Sequence, residues 1–328
     1  MNAEELARAL GGKKAGRQWK CRCPAHADRD PSLIVFDGRA AVQVRCLAGC
    51  EPEAVIAECR RLGVWQDSEA DLERERRRQA SEQRKREREE KQAREAAQLR
   101  ARALEIWEEA EPALGTEVES VYLQWWRGLE LPAARREFLL TEVLRLHRRC
   151  PRKQGRAPAM VALMRSIHGD RPVAIHRTFF DAQWRKVGEP MMLAPAGGAA
   201  IKLTGHDETF GEEFAYCTHL GVCEGIETGL DLLARGRSPI WALGSCGAIE
   251  RFAPVYCVGK LTVWGDRDWP VSVGYGDFEN AGPGERAAAI CIARWQLAGH
   301  EAVALMPKKP VETDGFETRD FNDKARVA

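Results

Sequence analysis

The chain has 328 residues, 50 Lys+Arg against 49 Asp+Glu, and 11 cysteines. That length allows more than one domain with a useful core, and the balanced charge excludes nucleic-acid binding by bulk charge, so any such surface must be local. No apolar run approaches the roughly 20 residues of a membrane-crossing helix, the start "MNAEELARALGGKK" has no signal-type apolar segment, and an odd, uneven cysteine count does not suit a disulfide framework; a reduced, cytoplasmic protein with no membrane partner is expected.

Residues 1–66 read as one compact unit. "SLIVF" and "AAVQVRC" are short β-branched strands on either side of the turn signal Asp37-Gly38. "EPEAVIAECRRLGVW" is a helix with Val55, Ile56, Cys59 and Leu62 on one face. Two further stretches, "CRCPAHADRDPSL" and "VRCLAGC", place Cys23, His26, Cys46 and Cys50 at the two ends of that hairpin. Three thiolates and one imidazole form the closed tetrahedral shell that structural Zn²⁺ favours. Cys21 is a fifth candidate that could replace Cys23, although Cys23 stands in better register with His26. Cys59, Cys150, Cys217, Cys223, Cys246, Cys257 and Cys291 sit among apolar neighbours and read as small, reduced, buried residues.

From 67 to 111 the composition shifts to interleaved charges of both signs, many at helical i,i+4 spacing. A solvated connector helix of about 65 Å is expected at ~1.5 Å per residue. Its acids cancel the excess of positive charge that a nucleic-acid arm would need. Residues 112–215 form a mixed, basic region. "VESVYLQWWRGLELP" is a helix stopped at Pro132, "AMVALMRSI" and "VAIHRTFFD" are strands around the turn "HGDRP", and "GAAIKLT" is another strand. Residues 216–328 alternate apolar strands with helices, which implies a parallel α/β sheet. The fold class is therefore multidomain, α+β and α/β: a metal-bound ribbon, a charged connector, a mixed subdomain and a parallel sheet.

In parallel α/β sheets, functional groups gather at the carboxyl ends of the strands. Glu224 closes the strand "HLGVCEG", and Asp266-Arg267-Asp268 closes "KLTVWGDRD". Convergent carboxylates favour Mg²⁺ or Mn²⁺, which support in-line phosphoryl transfer.

The first motif resembles the zinc ribbon of bacterial and phage DNA primases, and its three-residue spacer Leu47-Ala48-Gly49 is similar to the variant in phage and plasmid primase-like proteins. The glutamate followed by D-x-D resembles the Toprim domain shared by primases, topoisomerases and some nucleases. "CEGIETGLDLL" resembles its phage and mobile-element subgroup, and "CPRKQGRAPAMVALMR", "HRTFFD" and "MMLAPAGGAAIKL" resemble the stretch preceding it. Asp320-Phe-Asn-Asp323, after Arg319, resembles the terminal acidic motif. The resemblance implies a DNA primase or primase-like protein, making short RNA primers on single-stranded DNA by metal-dependent nucleotidyl transfer. It gives Glu224 the role of the invariant acid, Asp266 and Asp268 that of the metal pair, and Asp320 that of an additional acid.

The implied partners are a single-stranded DNA template, nucleoside triphosphates and a separate helicase, since no G-x-x-x-x-G-K-[ST] loop occurs. Arg177 and Lys202 are the best basic contacts by resemblance. Arg165 and Lys186, and the cluster Arg149, Arg152, Lys153 and Arg156, are further candidates for tracking phosphates, and Arg45 in the first unit could stack on or pair with template bases. His176 reads as structural. Two departures stand out: Thr228 occupies a position that is often aspartate, next to Glu227, and the segment after Asp268 is long. A Toprim nuclease, or a non-catalytic zinc-dependent replication adaptor that binds single strands, are the alternatives.

Overall fold

The computed structural model describes residues 1–39, 41–65, 67, 69–205, 219–268, 282–307 and 318–319, with the side chains of 69–71, 74, 75, 267, 268, 318 and 319 left out. The chain divides into two compact units, Met1–Gln92 and Ala93–Ala328.

In the first unit, helix α1 (Ala3–Ala9) starts at Asn2, whose side chain accepts from the Glu5 amide while Glu5 reaches back to the Asn2 amide. Strands β1 (Lys13–Ala15), β2 (Gln18–Cys21), β3 (Leu33–Asp37) and β4 (Val42–Cys46) form an antiparallel sheet in chain order. Alternation sets its faces: Leu33, Val35, Val42, Val44 and Cys46 are buried, while Gln43 and Arg45 are exposed. Helix α2 (Pro52–Arg61) closes the core with Val55 and Cys59. The core is small, so a bound metal would supply a large share of the folding energy. Helix α3 (Glu69–Glu109) follows and contains the division between the units.

The second unit opens with the end of α3, where Ala103, Ile106 and Trp107 pack with residues of the following sheet. The expected helix after Pro112 is present as helix α4 over Val118–Trp126, but with π geometry. It is followed by β5's partner strands: β5 (Glu111–Pro112) pairs with β6 (Leu144–Pro151), β6 with β7 (Arg156–Ser166), and β7 with β8 (Pro172–Phe179). The basic stretch leading to Cys150 thus forms strand β6, whose register with β7 shifts between His147 and Cys150. Strand β9 (Met191–Leu193) pairs with β8, and β10 (Ala199–Lys202) joins β7 to the next group of strands.

That group is parallel. β11 (Leu220–Cys223) lies between β12 (Ile240–Ala242) and β13 (Lys260–Trp264), and β15 (Glu301–Leu305) flanks β13. Period-2 alternation gives each face its own apolar layer. Ile240 and Ala242 join the layer containing Leu230 and Leu233 of helix α5 (Ile226–Ala234). Trp241, Val222 and Val263 join the layer containing Ile249 of α6 (Cys246–Arg251) and Ala288 and Trp295 of α7 (Pro283–Leu297). A short antiparallel pair, β14 (Arg267–Asp268) with β16 (Thr318–Arg319), lies beyond the end of β13. Among the described residues no helix is long and apolar enough to cross a membrane.

Candidate metal centres

Cys23, His26, Cys46 and Cys50 place one ligand atom each within 4.8 Å of one another. His26 presents Nδ1, 3.2 Å from the Cys50 Sγ and 3.9 Å from the Cys46 Sγ. Its Nε2 faces Asp28 Oδ1 at 3.5 Å, so a carboxylate backs the imidazole and fixes its orientation. Asp28 organises the whole knuckle: its Oδ2 accepts from the Cys23 amide (2.6 Å), the Ser32 amide (3.0 Å) and the Ser32 hydroxyl (2.7 Å). The Cys23 amide above all, helped by Ser32, holds the Asp28 carboxyl down at about 2.

The second knuckle turns at Gly49, whose φ of +92° belongs to the left-handed region. Burial works against a thiolate at Cys46, yet amide donation from Cys50 and Ala48 and the Ser32 hydroxyl outweigh it and bring the thiol to about 6. Burial pushes Cys23 up to about 12 without a metal. Cys21 stands outside this group; it is buried, its Sγ filling the space over Gly12, in the apolar core that also holds Cys59. The donor set and its second layer of hydrogen bonds are compatible with structural zinc.

The acid centre is assembled by strand register. β11 and β13 run in step from Leu220 opposite Leu261 to Cys223 opposite Trp264, so both end at one level. Glu224 follows one strand directly and Asp266 follows the other by two residues. The Gly265 amide bonds the Leu305 carbonyl (3.0 Å), which prolongs the β13–β15 pairing up to Asp266. Helix α7 begins against that residue: a Cβ at Gly284 would lie 2.5 Å from the Asp266 carbonyl oxygen, so only glycine allows this approach.

The Glu224 carbonyl accepts from the Gly244 amide (2.9 Å), and its Oε2 accepts from the Cys246 thiol (2.7 Å). Beneath both acids lies Cys223, whose thiol burial raises well above its ordinary range, helped by the negative charges of Asp266, Glu224 and Glu227. The oxygen donors suit a hard divalent cation. The Asp268 side chain and all of Asp320 lie outside the described residues. The backbone pairs Arg267 with Arg319, the residue before Asp320.

Glu227 and Tyr122 are additional functional candidates. Thr228 is buried at 2% exposure and turned into the core. Glu227 instead accepts a hydrogen bond from the Tyr122 hydroxyl. Burial works to raise its carboxyl, but Arg127, Tyr122 and then Lys186 hold it below the usual carboxylate range. The only signal for this in the sequence is the unusual Glu227-Thr228 order; its partner lies 105 positions away.

The basic candidates separate into two sets. Arg45 is exposed on the outer face of β4. Arg149, Arg152, Lys153 and Arg156 are exposed around the β6–β7 turn. Arg165 is half-buried and bonds the Asp170 carbonyl (3.2 Å) and carboxylate (3.3 Å). Arg177 is only 5% exposed; it shares a face of β8 with Ile175 and Phe179 and donates to the Pro151 carbonyl at 2.8 Å. Lys202 is 2% exposed, with Nζ 3.0 Å from Asp170 and 4.8 Å from the Trp241 ring centre. The two residues expected to be the best phosphate contacts thus face protein partners here.

Residues 219–328 match the family described as the Toprim domain, and residues 97–203 match a domain of unknown function (DUF7146). The C-terminal region is a Toprim domain. Among solved structures, the zinc-binding and RNA polymerase domains of the Aquifex aeolicus primase share 14% identity over 94% of this chain and 78% of theirs, with a TM-score of 0.39. A DNA primase domain from Pseudomonas aeruginosa shares 13% identity over 65% of this chain and 72% of its own, with a TM-score of 0.40. No curated protein matches the chain.

Proposed function

We propose that this chain is a primase-type nucleotidyltransferase that makes short RNA primers on single-stranded DNA. The observation that carries this reading is the order of parts within one chain: a Cys₃His group at residues 23–50, a mixed basic region, and a Toprim domain with acids at the ends of adjacent parallel strands. Zn²⁺ would be held by Cys23, His26, Cys46 and Cys50, and Mg²⁺ or Mn²⁺ by Glu224, Asp266 and Asp268, with Asp320 as a further acid. A divalent ion bound there supplies charge neutralisation for an α-phosphate under attack by a 3′-hydroxyl.

The chain's own residues set up that chemistry. Cys246 and the Gly244 amide fix the Glu224 carboxylate and its backbone. The α7 start fixes the Asp266 backbone. Of the basic candidates, Arg45 and the β6–β7 turn are exposed in this structure, whereas Arg165, Arg177 and Lys202 would have to exchange protein partners for phosphate. Template DNA, nucleoside triphosphates and a separate helicase are the partners this reading entails.

Primer synthesis on single-stranded DNA with Mg²⁺ or Mn²⁺ tests it. The wild-type chain is expected to make primers, and Glu224→Gln and Asp266→Asn to lose roughly 10²–10³-fold or more of that activity. Undiminished synthesis by both variants, or nucleotide-independent nicking as the sole activity, would overturn it.

A further inference from the structure

The chain buries several of its described tryptophans: Trp241 and Trp295 are 0% exposed and Trp107 is 4% exposed. Two neighbours on the π-helix are different. Trp125 is 79% exposed and Trp126 44%. We propose that these two rings, with the turn at residues 181–186, form the platform on which single-stranded DNA lies, bases stacked on the indoles and backbone facing Lys186. The proposal rests on the nucleic-acid reading above and adds to it the surface that holds the strand.

Three observations favour a built platform over stray apolar exposure. First, one of the two rings is anchored. The Trp126 Nε1–H donates to the Gln183 carbonyl at 3.1 Å, tying the π-helix to the 181–186 turn. That turn is braced by Asp181, whose Oδ1 accepts from the Gln183 and Arg185 amides at 2.9 Å each. Second, an aromatic stack roots it in the core: Tyr122 packs on Phe180 with centroids 4.6 Å apart, and Phe180 on Trp184 at 5.5 Å. A base would meet a surface ordered in advance, which lowers the entropic cost of binding. Third, the charge is complementary and the place is apt. Lys186 is exposed on the same turn. Tyr122, one π-helical turn before Trp126, bonds Glu227, three residues beyond Glu224.

Flat exposed rings beside a cation suit a nucleobase strand because every base has a π-face, so the surface need not read sequence. A protein partner would call for a broad apolar patch, whereas this one is bordered by Gln124, Gln183, Arg185 and Lys186, all exposed.

The test uses the full chain and a fluorescent oligo-dT strand of about 16 nucleotides, a length within reported single-strand site sizes. Anisotropy is followed without nucleotides or divalent ions. Trp125→Ala is expected to weaken binding about 5- to 150-fold, with Trp125→Phe recovering most of the loss. Lys186→Ala is expected to lower the salt slope by about 0.7. Trp125 is exposed, so its substitution leaves the fold intact, checked by circular dichroism. Wild-type affinity in both Trp125→Ala and Trp125→Ala/Trp126→Ala overturns the platform, as does a change confined to self-association or to capture of a protein partner. The two readings fail separately: binding that weakens in Trp125→Ala while the wild type makes no primers supports the platform and removes the primase. Primers made by a Trp125→Ala chain that binds DNA normally do the reverse.

Discussion

The Cys/His centre and the acid centre are built on opposite plans. In the first, four donors come from 28 consecutive residues, Cys23 to Cys50, beside a small core. In the second, Glu224 and Asp266 are held by strands and helices with large apolar layers of their own on both faces. The first centre should therefore be part of the fold, and the second a passenger on it. Removing a donor should unfold the one and leave the other standing.

The largest expected effect follows directly. Cys46→Ser should abolish zinc stoichiometry and unfold residues 1–65, since structural zinc supplies on the order of 10 kcal/mol. Hydrogen exchange should show loss of protection there, with protection of β11 and β13 retained. Protection that survives in β3 and β4 would erase the contrast.

A smaller effect sharpens the other side. Tyr122→Phe keeps the ring contact with Phe180 but removes the hydroxyl from Glu227. Loss of a hydrogen bond to a charged group predicts about 1.5–3 kcal/mol less stability for the second unit in urea unfolding. An unchanged midpoint would mean that Glu227 draws its support from Arg127 and Lys186 rather than from Tyr122.

Protons provide a third test. Burial above all depresses His176 from 6.5 to about 4. The unfolded chain then takes up a proton that the folded chain refuses, so stability is intact above pH 6.5 and falls as pH drops toward 4. Between pH 7.5 and pH 5 the loss should be about 2 kcal/mol, and His176→Gln should remove that part of the pH dependence. An identical pH profile in the variant would contradict a buried neutral imidazole. The smallest effect is expected at Arg45, exposed on β4: Arg45→Ala should lower the salt slope of single-strand binding by about 0.7 and leave zinc in place.

The same contrast explains what could be read from residues alone. The four zinc-type ligands were legible because turn and hairpin spacing brings them together locally. Alternation of apolar strands and helices likewise revealed the parallel sheet, and Glu224 and Asp266 could be placed at its strand ends. Faces chosen by distant partners were not legible. Arg177 and Lys202 lie on strands whose inward side depends on α3 and on Trp241, and no local pattern announces that. No local pattern marks Asp28, yet it holds the knuckle through Cys23 and Ser32. The π geometry of Val118–Trp126 and the strand character of the basic β6 depend on packing across the sheet rather than on propensity.

Whether the strand-end acids share a cation is the point on which the account turns, and Mn²⁺ binding measured by electron paramagnetic resonance on the zinc-loaded full chain tests it most directly. The expected result is one Mn²⁺ site, weakened at least about tenfold in Glu224→Gln and in Asp266→Asn, while zinc content and the unfolding midpoint of the second unit stay at wild-type values. Mn²⁺ affinity equal to wild type in both variants would contradict it.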